Sequence, residues 1–199
     1  MKHLLLLSLA VLLLPGAALA GTVLNTNLLV NPGFEDSLNG WVSNGGDNRS
    51  NDPAPHSGSS YVFFPSTSTG AVSQTVDLDL GTFTEGDYEA NYGGWQARWH
   101  GQADAGKITL YFLDQTGAAL GSDSLGFHSP VPWELQEGTA VLPGGTEQII
   151  YEFYGVRYEG SNLDSYLDDA FLSISVVPEP ATLVILAAGA VICTRKPRR

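Results

Sequence analysis

Between Gly21 and Val176 the apolar and β-branched residues come in short runs. Gly, Pro, Asn and Asp punctuate them, and no stretch sustains a 3.6-residue period. A chain patterned this way has no helical stripe to bury and must instead alternate faces in strands. The pattern predicts strands over Leu28–Val30, Tyr61–Phe64, Ala71–Leu78, Tyr88–Trp99, Ile108–Leu113, Thr139–Val141, Ile149–Val156 and Tyr166–Ser175. Asp114-Gln115-Thr116-Gly117 reads as a tight turn, which makes Ile108–Leu113 and Ala119–Leu125 a hairpin. Pro143-Gly144-Gly145 reads as a second turn, and Asn44 to Ser60 as a long polar loop. No internal repeat or linker interrupts the region. Strands at this spacing specify one all-β domain, a β-sandwich or jelly roll.

Both ends of the chain are of a different kind. Residues 1–20 read as a secretory signal peptide: Lys2 supplies charge, Leu4 to Leu14 an apolar core, and Ala18-Leu19-Ala20 a small-x-small cleavage site. At the other end, Val177-Pro178-Glu179-Pro180 leads into a hydrophobic segment, 181–194, uncharged from Ala181 to Cys193. Arg195, Lys196, Arg198 and Arg199 follow it. Two prolines around Glu179 make an exposed, extended segment of the kind a protease cleft accepts. As a helix the apolar run spans roughly 20 Å at about 1.5 Å per residue, against about 30 Å of hydrocarbon. It is a short transmembrane helix, extended by snorkelling cations that stay on the cytoplasmic side. A core helix this apolar rarely ends in four cations, and a glycosylphosphatidylinositol signal usually lacks a basic end.

The Pro-Glu-Pro motif, apolar run and basic end, in that order at the chain terminus, resemble the PEP-CTERM sorting signal of Gram-negative bacteria. The resemblance covers 177–199. It implies export across the inner membrane, transient anchoring there, and processing by an exosortase that recognises Pro178, Glu179 and Pro180. It further implies release to the cell surface or an extracellular polysaccharide matrix.

The domain 21–176 holds four cations, Arg49, Arg98, Lys107 and Arg157, and its net charge is −16, against −12 for the whole chain. Such a surface repels nucleic acid and anionic lipid. The single cysteine is Cys193, so no disulfide staples the domain; if it needs a staple, the candidate is a metal.

Asn27-Leu28-Leu29-Val30-Asn31-Pro32-Gly33-Phe34-Glu35, followed by Gly40-Trp41, is similar to the opening of galactose-binding-like jelly rolls, which include many carbohydrate-binding modules. Tyr166-Leu167-Asp168-Asp169-Ala170-Phe171-Leu172-Ser173-Ile174 is similar to their last strand. His56 to Tyr61 and Ser73 to Val76 fall where the family has its second and third strands. The stretch from Trp95-Gln96-Ala97-Arg98 to Trp133 also resembles the sugar-binding domains of F-box proteins. The family resemblance implies a galactose-binding-like jelly roll and one structural Ca²⁺ where the first loop meets the last strand. Glu35, Asp168 and the Gly33 carbonyl occupy the matching positions, with a further ligand from Ser57–Ser60. Period two puts Asp168 on one face with Ala170, Leu172 and Ile174, and Asp169 on the other. The alternative is that Glu35 and Asp168 accept backbone hydrogen bonds at the sheet end.

Glycan contacts are expected from aromatic rings with polar groups beside them. Trp95, Arg98, Trp99, Arg157 and Tyr158 fit, together with Asn162 and Asp164 in the loop before the last strand, where the F-box-type relatives grip glycan. About half of the strand aromatics belong to the core instead. Nothing points to catalysis. There is no Gly-x-Ser-x-Gly elbow, no cysteine nucleophile in the domain and no histidine pair at metal spacing. His56, His100 and His128 read as isolated and solvated, and Glu134 with Glu137 as a wet strand edge. The reading is a non-enzymatic surface or matrix protein sorted by an exosortase. Its rivals are a carbohydrate-binding module with a defined glycan ligand and a hydrolase with an unrecognised site.

Overall fold

The computed structural model describes residues 21–178. The signal peptide, Glu179, Pro180, the 181–194 segment and the basic tail lie outside the described residues. Ten strands form two sheets: β1 Val42–Asn44, β2 Asp47–Arg49, β3 Tyr61–Phe64, β4 Thr69–Asp77, β5 Tyr88–Arg98, β6 Ala105–Leu113, β7 Ala119–His128, β8 Glu134–Val141, β9 Gln148–Val156 and β10 Leu163–Val176. One five-stranded sheet runs β1-β4-β9-β6-β7, the other β2-β3-β10-β5-β8. All strand pairs are antiparallel. This is the expected all-β sandwich of jelly-roll type.

Alternation builds the core. Along β9, Ile149, Tyr151 and Phe153 are fully buried while Ile150, Glu152 and Tyr154 face outward. Ala90 and Tyr92 of β5, with Ala170, Leu172 and Ile174 of β10, meet them from the other sheet in one apolar cluster. Each large apolar side chain so buried contributes about 1.5–3 kcal/mol. The 114–117 turn forms as expected, Gly117 N–H donating to the Asp114 carbonyl over 2.9 Å. The 143–146 turn carries the chain from β8 in one sheet to β9 in the other.

Three expectations need correction. Leu28–Val30 is not a strand. That segment lies along β10 beyond the reach of β3, held by Leu28 N–H to the Leu172 carbonyl and by Asn27, whose amide bonds both Ala170 and Leu172. Side-chain bonds replace the ladder, so apolar content alone misleads. β2 lies within the expected polar loop and β1 ends at its first residue, Asn44; both are short strands, mostly exposed and without alternation to betray them.

The third correction is the face of Asp168. β10 pairs Asp168 with Trp95 but Phe171 with Gly93, a bulge of one extra residue. Asp169 sits in it at φ 45°. Before the bulge Leu163 and Leu167 point into the core; after it Ala170, Leu172 and Ile174 do. Asp168 therefore shares the outer face with Trp95 and Tyr166, not the inner face with Ala170.

Candidate functional site

The 50–60 loop folds back over the outer face of the second sheet as a strap. Tyr61 Oη donates to the Asn51 carbonyl at 2.7 Å, Trp133 Nε1 to the Ala54 carbonyl at 2.8 Å, and Arg49 Nε to the Asn51 carbonyl at 2.6 Å. Beneath the strap, Tyr61, Ala97 and Tyr166 are buried in a satellite cluster joined by Phe63, Trp99 and Trp133. Burial raises the Tyr61 and Tyr166 hydroxyls above their ordinary range, and the Asp164 carboxylate accepting from Tyr166 raises the latter further.

One end of the strap rests on carboxylates. The His56 and Ser57 N–H groups donate to Asp168 Oδ2 at 2.9 and 3.2 Å. The Asp169 oxygens take His56 Nδ1 at 2.6 Å and Ser57 Oγ at 2.8 Å. His56 stacks on Trp95 with ring centroids 3.7 Å apart. His56 is thus engaged, not solvated, and Asp169 serves the same loop as Asp168. His128 is engaged too, through Nε2 and the Leu125 carbonyl at 2.7 Å. Glu35 holds the next turn, accepting from Ser59 N–H, Ser59 Oγ and Ser60 N–H, which keeps its carboxyl below the usual range. Gly58 sits at φ 55°, which favours glycine, and a Cβ there would press on the Glu35 carboxylate. Burial pushes Asp168 up to about 6 against those hydrogen bonds.

Gly33 lies beside Asp168, and Asp168 and Glu35 accept backbone N–H groups, the alternative reading of these carboxylates. A Cβ at Gly33 would lie 3.7 Å from Asp168 Oδ1 and 3.3 Å from Asp169 Oδ1. The donors are hard oxygens, the chemistry Ca²⁺ takes. Among the described residues no three His, Cys, Asp or Glu side chains converge on one point. Carbonyl and hydroxyl oxygens would have to complete any shell.

The other end of the molecule is built on Asp104. Fully buried, it accepts Tyr158 and Glu159 N–H on Oδ1, at 2.6 and 3.1 Å, and Asp164 N–H on Oδ2 at 2.8 Å. These bonds shape the β9–β10 loop. Nothing in the local sequence marks Asp104; its role follows only from the three-dimensional closeness of the β5–β6 and β9–β10 loops. Arg98 Nε donates to the Ser129 carbonyl at 2.9 Å, and its Nη1 to the Trp99 and Gln102 carbonyls, so it pins loops. Arg157 likewise donates to the Ser161 carbonyl at 2.6 Å.

Trp99 is half-buried and lines two hollows. Arg49, Gln102, Asn162 and Asp164 complete a polar cleft of about 230 Å³. The second is a mostly apolar pocket of about 240 Å³, with Ala97, Val131, Pro132 and Trp133 in its wall. Of the sequence-derived glycan candidates, Trp99, Asn162 and Asp164 share the polar cleft, and Arg98 lies on the apolar side. Trp95 lies apart, under His56. Tyr158 is exposed and, like Arg157, lines neither hollow. Glu134 and Glu137 are exposed on β8, an edge strand.

No protein-family model matches the chain, and no curated protein matches it. Solved structures do. TmCBM61, solved in complex with beta-1,4-galactotriose, superposes with TM-score 0.50 at 21% identity, over 74% of this chain and 97% of that one. Family 16 Carbohydrate Binding Module-2 does so with TM-score 0.52 at 19% identity, over 73% and 99%. The enzymatically active domain of bacteriophage CBA120 tailspike protein 4 gives TM-score 0.55 at 15% identity over 75% of this chain; the chain spans 21% of its length. At these identities the likeness is one of fold: the domain has the jelly-roll fold of carbohydrate-binding modules.

Proposed function

We propose that the domain is a non-catalytic carbohydrate-binding module whose saccharide lies against Trp99. The observation that carries this reading is the pairing of one half-buried indole with a cleft of four planar polar groups, Arg49, Gln102, Asn162 and Asp164. Sugar rings stack their C–H faces on such a ring, and the flanking amide and carboxylate fix hydroxyls. Carbohydrate-binding modules of the same fold, one with a galactotriose bound, favour this reading. A glycan array with the purified protein should give hits that Trp99→Ala weakens at least about tenfold, a loss of about 1.4 kcal/mol. An array without a hit overturns the reading.

A structural Ca²⁺ at Glu35, Asp168 and the Gly33 carbonyl belongs to the same proposal; it would fix the strap and take no part in chemistry. The tail carries a further reading, sorting by an exosortase to the cell surface or a polysaccharide matrix. Pro178, exposed at the end of the described residues, favours it. In a host with an exosortase, Glu179→Ala should block the mass change of processing; unchanged processing removes the sorting role.

A further inference from the structure

We infer that the apolar pocket that shares Trp99 with the polar cleft receives a methyl group displayed by a pyranose, either an acetyl methyl or that of a 6-deoxy sugar. This rests on the saccharide reading above and names the sugar class.

The two hollows share one wall, Trp99, and differ in everything else. The polar cleft offers carboxylate, amide and guanidinium groups. The pocket offers Pro53, Ala97, Val131, Pro132 and Trp133. Its polar members are few. Arg98 spends its Nε and Nη1 donors on the carbonyls of Trp99, Gln102 and Ser129. That leaves Asp52, His100 and Nη2 of Arg98. A hydroxyl sent into this pocket gives up water and meets carbon, which is unfavourable. A methyl sent there loses nothing and gains burial.

The pocket is also built to stay open. Its wall includes Ala97, 3% exposed and paired across the strands with Tyr166, where a larger side chain would fill the space. Trp133 is fixed by its bond to the Ala54 carbonyl and by edge contact with Tyr61, ring centroids 5.4 Å apart. At about 240 Å³ it falls below the roughly 300–1,000 Å³ of drug-sized ligand sites. It is sized for a ring edge and its substituent, not an oligosaccharide. A sugar lying on Trp99 therefore turns its hydroxyl edge to Asp164 and Asn162 and its methyl toward Ala97.

The test compares immobilised sugars in pairs of which one member carries a methyl-bearing substituent: N-acetylglucosamine with glucose, 6-deoxygalactose with galactose of the same configuration, and O-acetylated with deacetylated xylan. In one arm the methyl-bearing member should bind at least about fourfold tighter, the gain from burying one methyl group. Which arm responds tells acetyl from 6-deoxy sources. Val131→Asp, at a position 45% exposed, should erase the preference and leave the melting temperature unchanged. Asn162→Ala should weaken both members alike. Equal affinity within every pair, with binding that still depends on Trp99, overturns the pocket assignment and leaves the saccharide reading intact. Absence of binding in all arms overturns both.

Discussion

Asp104 and Asp168 are both fully buried, and each holds a loop by accepting backbone N–H groups. Their surroundings differ. Asp104 stands alone and spends both oxygens on one loop. Asp168 has Asp169 bonded to the same strap and Glu35 holding its next turn. The first arrangement is complete as it stands: a lone carboxylate satisfied by three donors makes a rigid loop and so a preformed cleft beside Trp99. The second is satisfied by three backbone donors too, since Asp169 N–H bonds Asp168 Oδ1 at 2.8 Å, but it gathers like charge, and the proposed cation rests on that difference. The two aspartates thus differ in their charged neighbours and not in the number of bonds they accept.

The comparison breaks first at Asp104. Asp104→Ala leaves three N–H groups unpaired and should cost about 3 kcal/mol or more. In calorimetry that is a fall of roughly 6–12 °C in melting temperature for a domain this size. Glycan binding should weaken with it, because Asn162 and Asp164 ride on that loop. A change under about 1 °C would show that the loop holds its shape without the carboxylate.

Chelation addresses the other joint. An ion bound only by the folded state, at a hundredfold excess over Kd, contributes about 2.7 kcal/mol. Its removal should lower the melting temperature by roughly 5–10 °C. Asp168→Asn should abolish the response to added Ca²⁺, and Asp104→Ala should keep it. If the wild type melts alike with and without chelator, the metal does not exist and hydrogen bonds alone hold the strap.

A smaller effect separates the two tryptophans. His56→Ala removes the stack on Trp95 and the bond to Asp169, for about 1 kcal/mol or roughly 2–4 °C. Because Trp95 lines neither hollow beside Trp99, glycan titration should be unmoved; a loss of affinity would extend the site to the strap.

The smallest effect is a slope. Burial holds Asp168 at about 6, against about 3.9 for an unfolded aspartate. Between those values the folded chain keeps a proton that the unfolded chain has released. Stability from this group is therefore full below pH 4, declines as pH rises, and is lost above pH 6. In chelator, the wild type should lose stability relative to Asp168→Asn from pH 4 to pH 6. With Ca²⁺ bound the ion favours the carboxylate, and the trend should reverse. An identical slope for both proteins in chelator means that burial does not raise Asp168.

The strands that pack into the core were legible because their side chains alternate: β4 and β9 match the expected spans closely. Strands whose bonds serve only the backbone were not. β1 and β2 bury almost nothing, so their residues carry no pattern. That Glu35 and Asp168 accept backbone N–H groups was legible as the alternative to a metal site. The face of Asp168 was not, since one extra residue in β10 inverts every parity argument beyond it. Of the sugar candidates, Trp99, Asn162 and Asp164 meet in space, whereas Trp133 and Arg49 enter the site only through the strap.

β10 has a mechanical meaning as well. It is the longest strand, lies third in its five-stranded sheet, and ends at Val176. Pulled from Val177 while a glycan holds the far loops, it is loaded along its own axis. Its bonds to β5 run at right angles to that axis over nearly its whole length. They stretch together, in shear, instead of opening one at a time as in a peeled hairpin. Asn27 adds a side-chain rivet on the other edge. If the proposed glycan and tail do load the domain at its two ends, this layout sets the pull against the whole β5–β10 ladder at once.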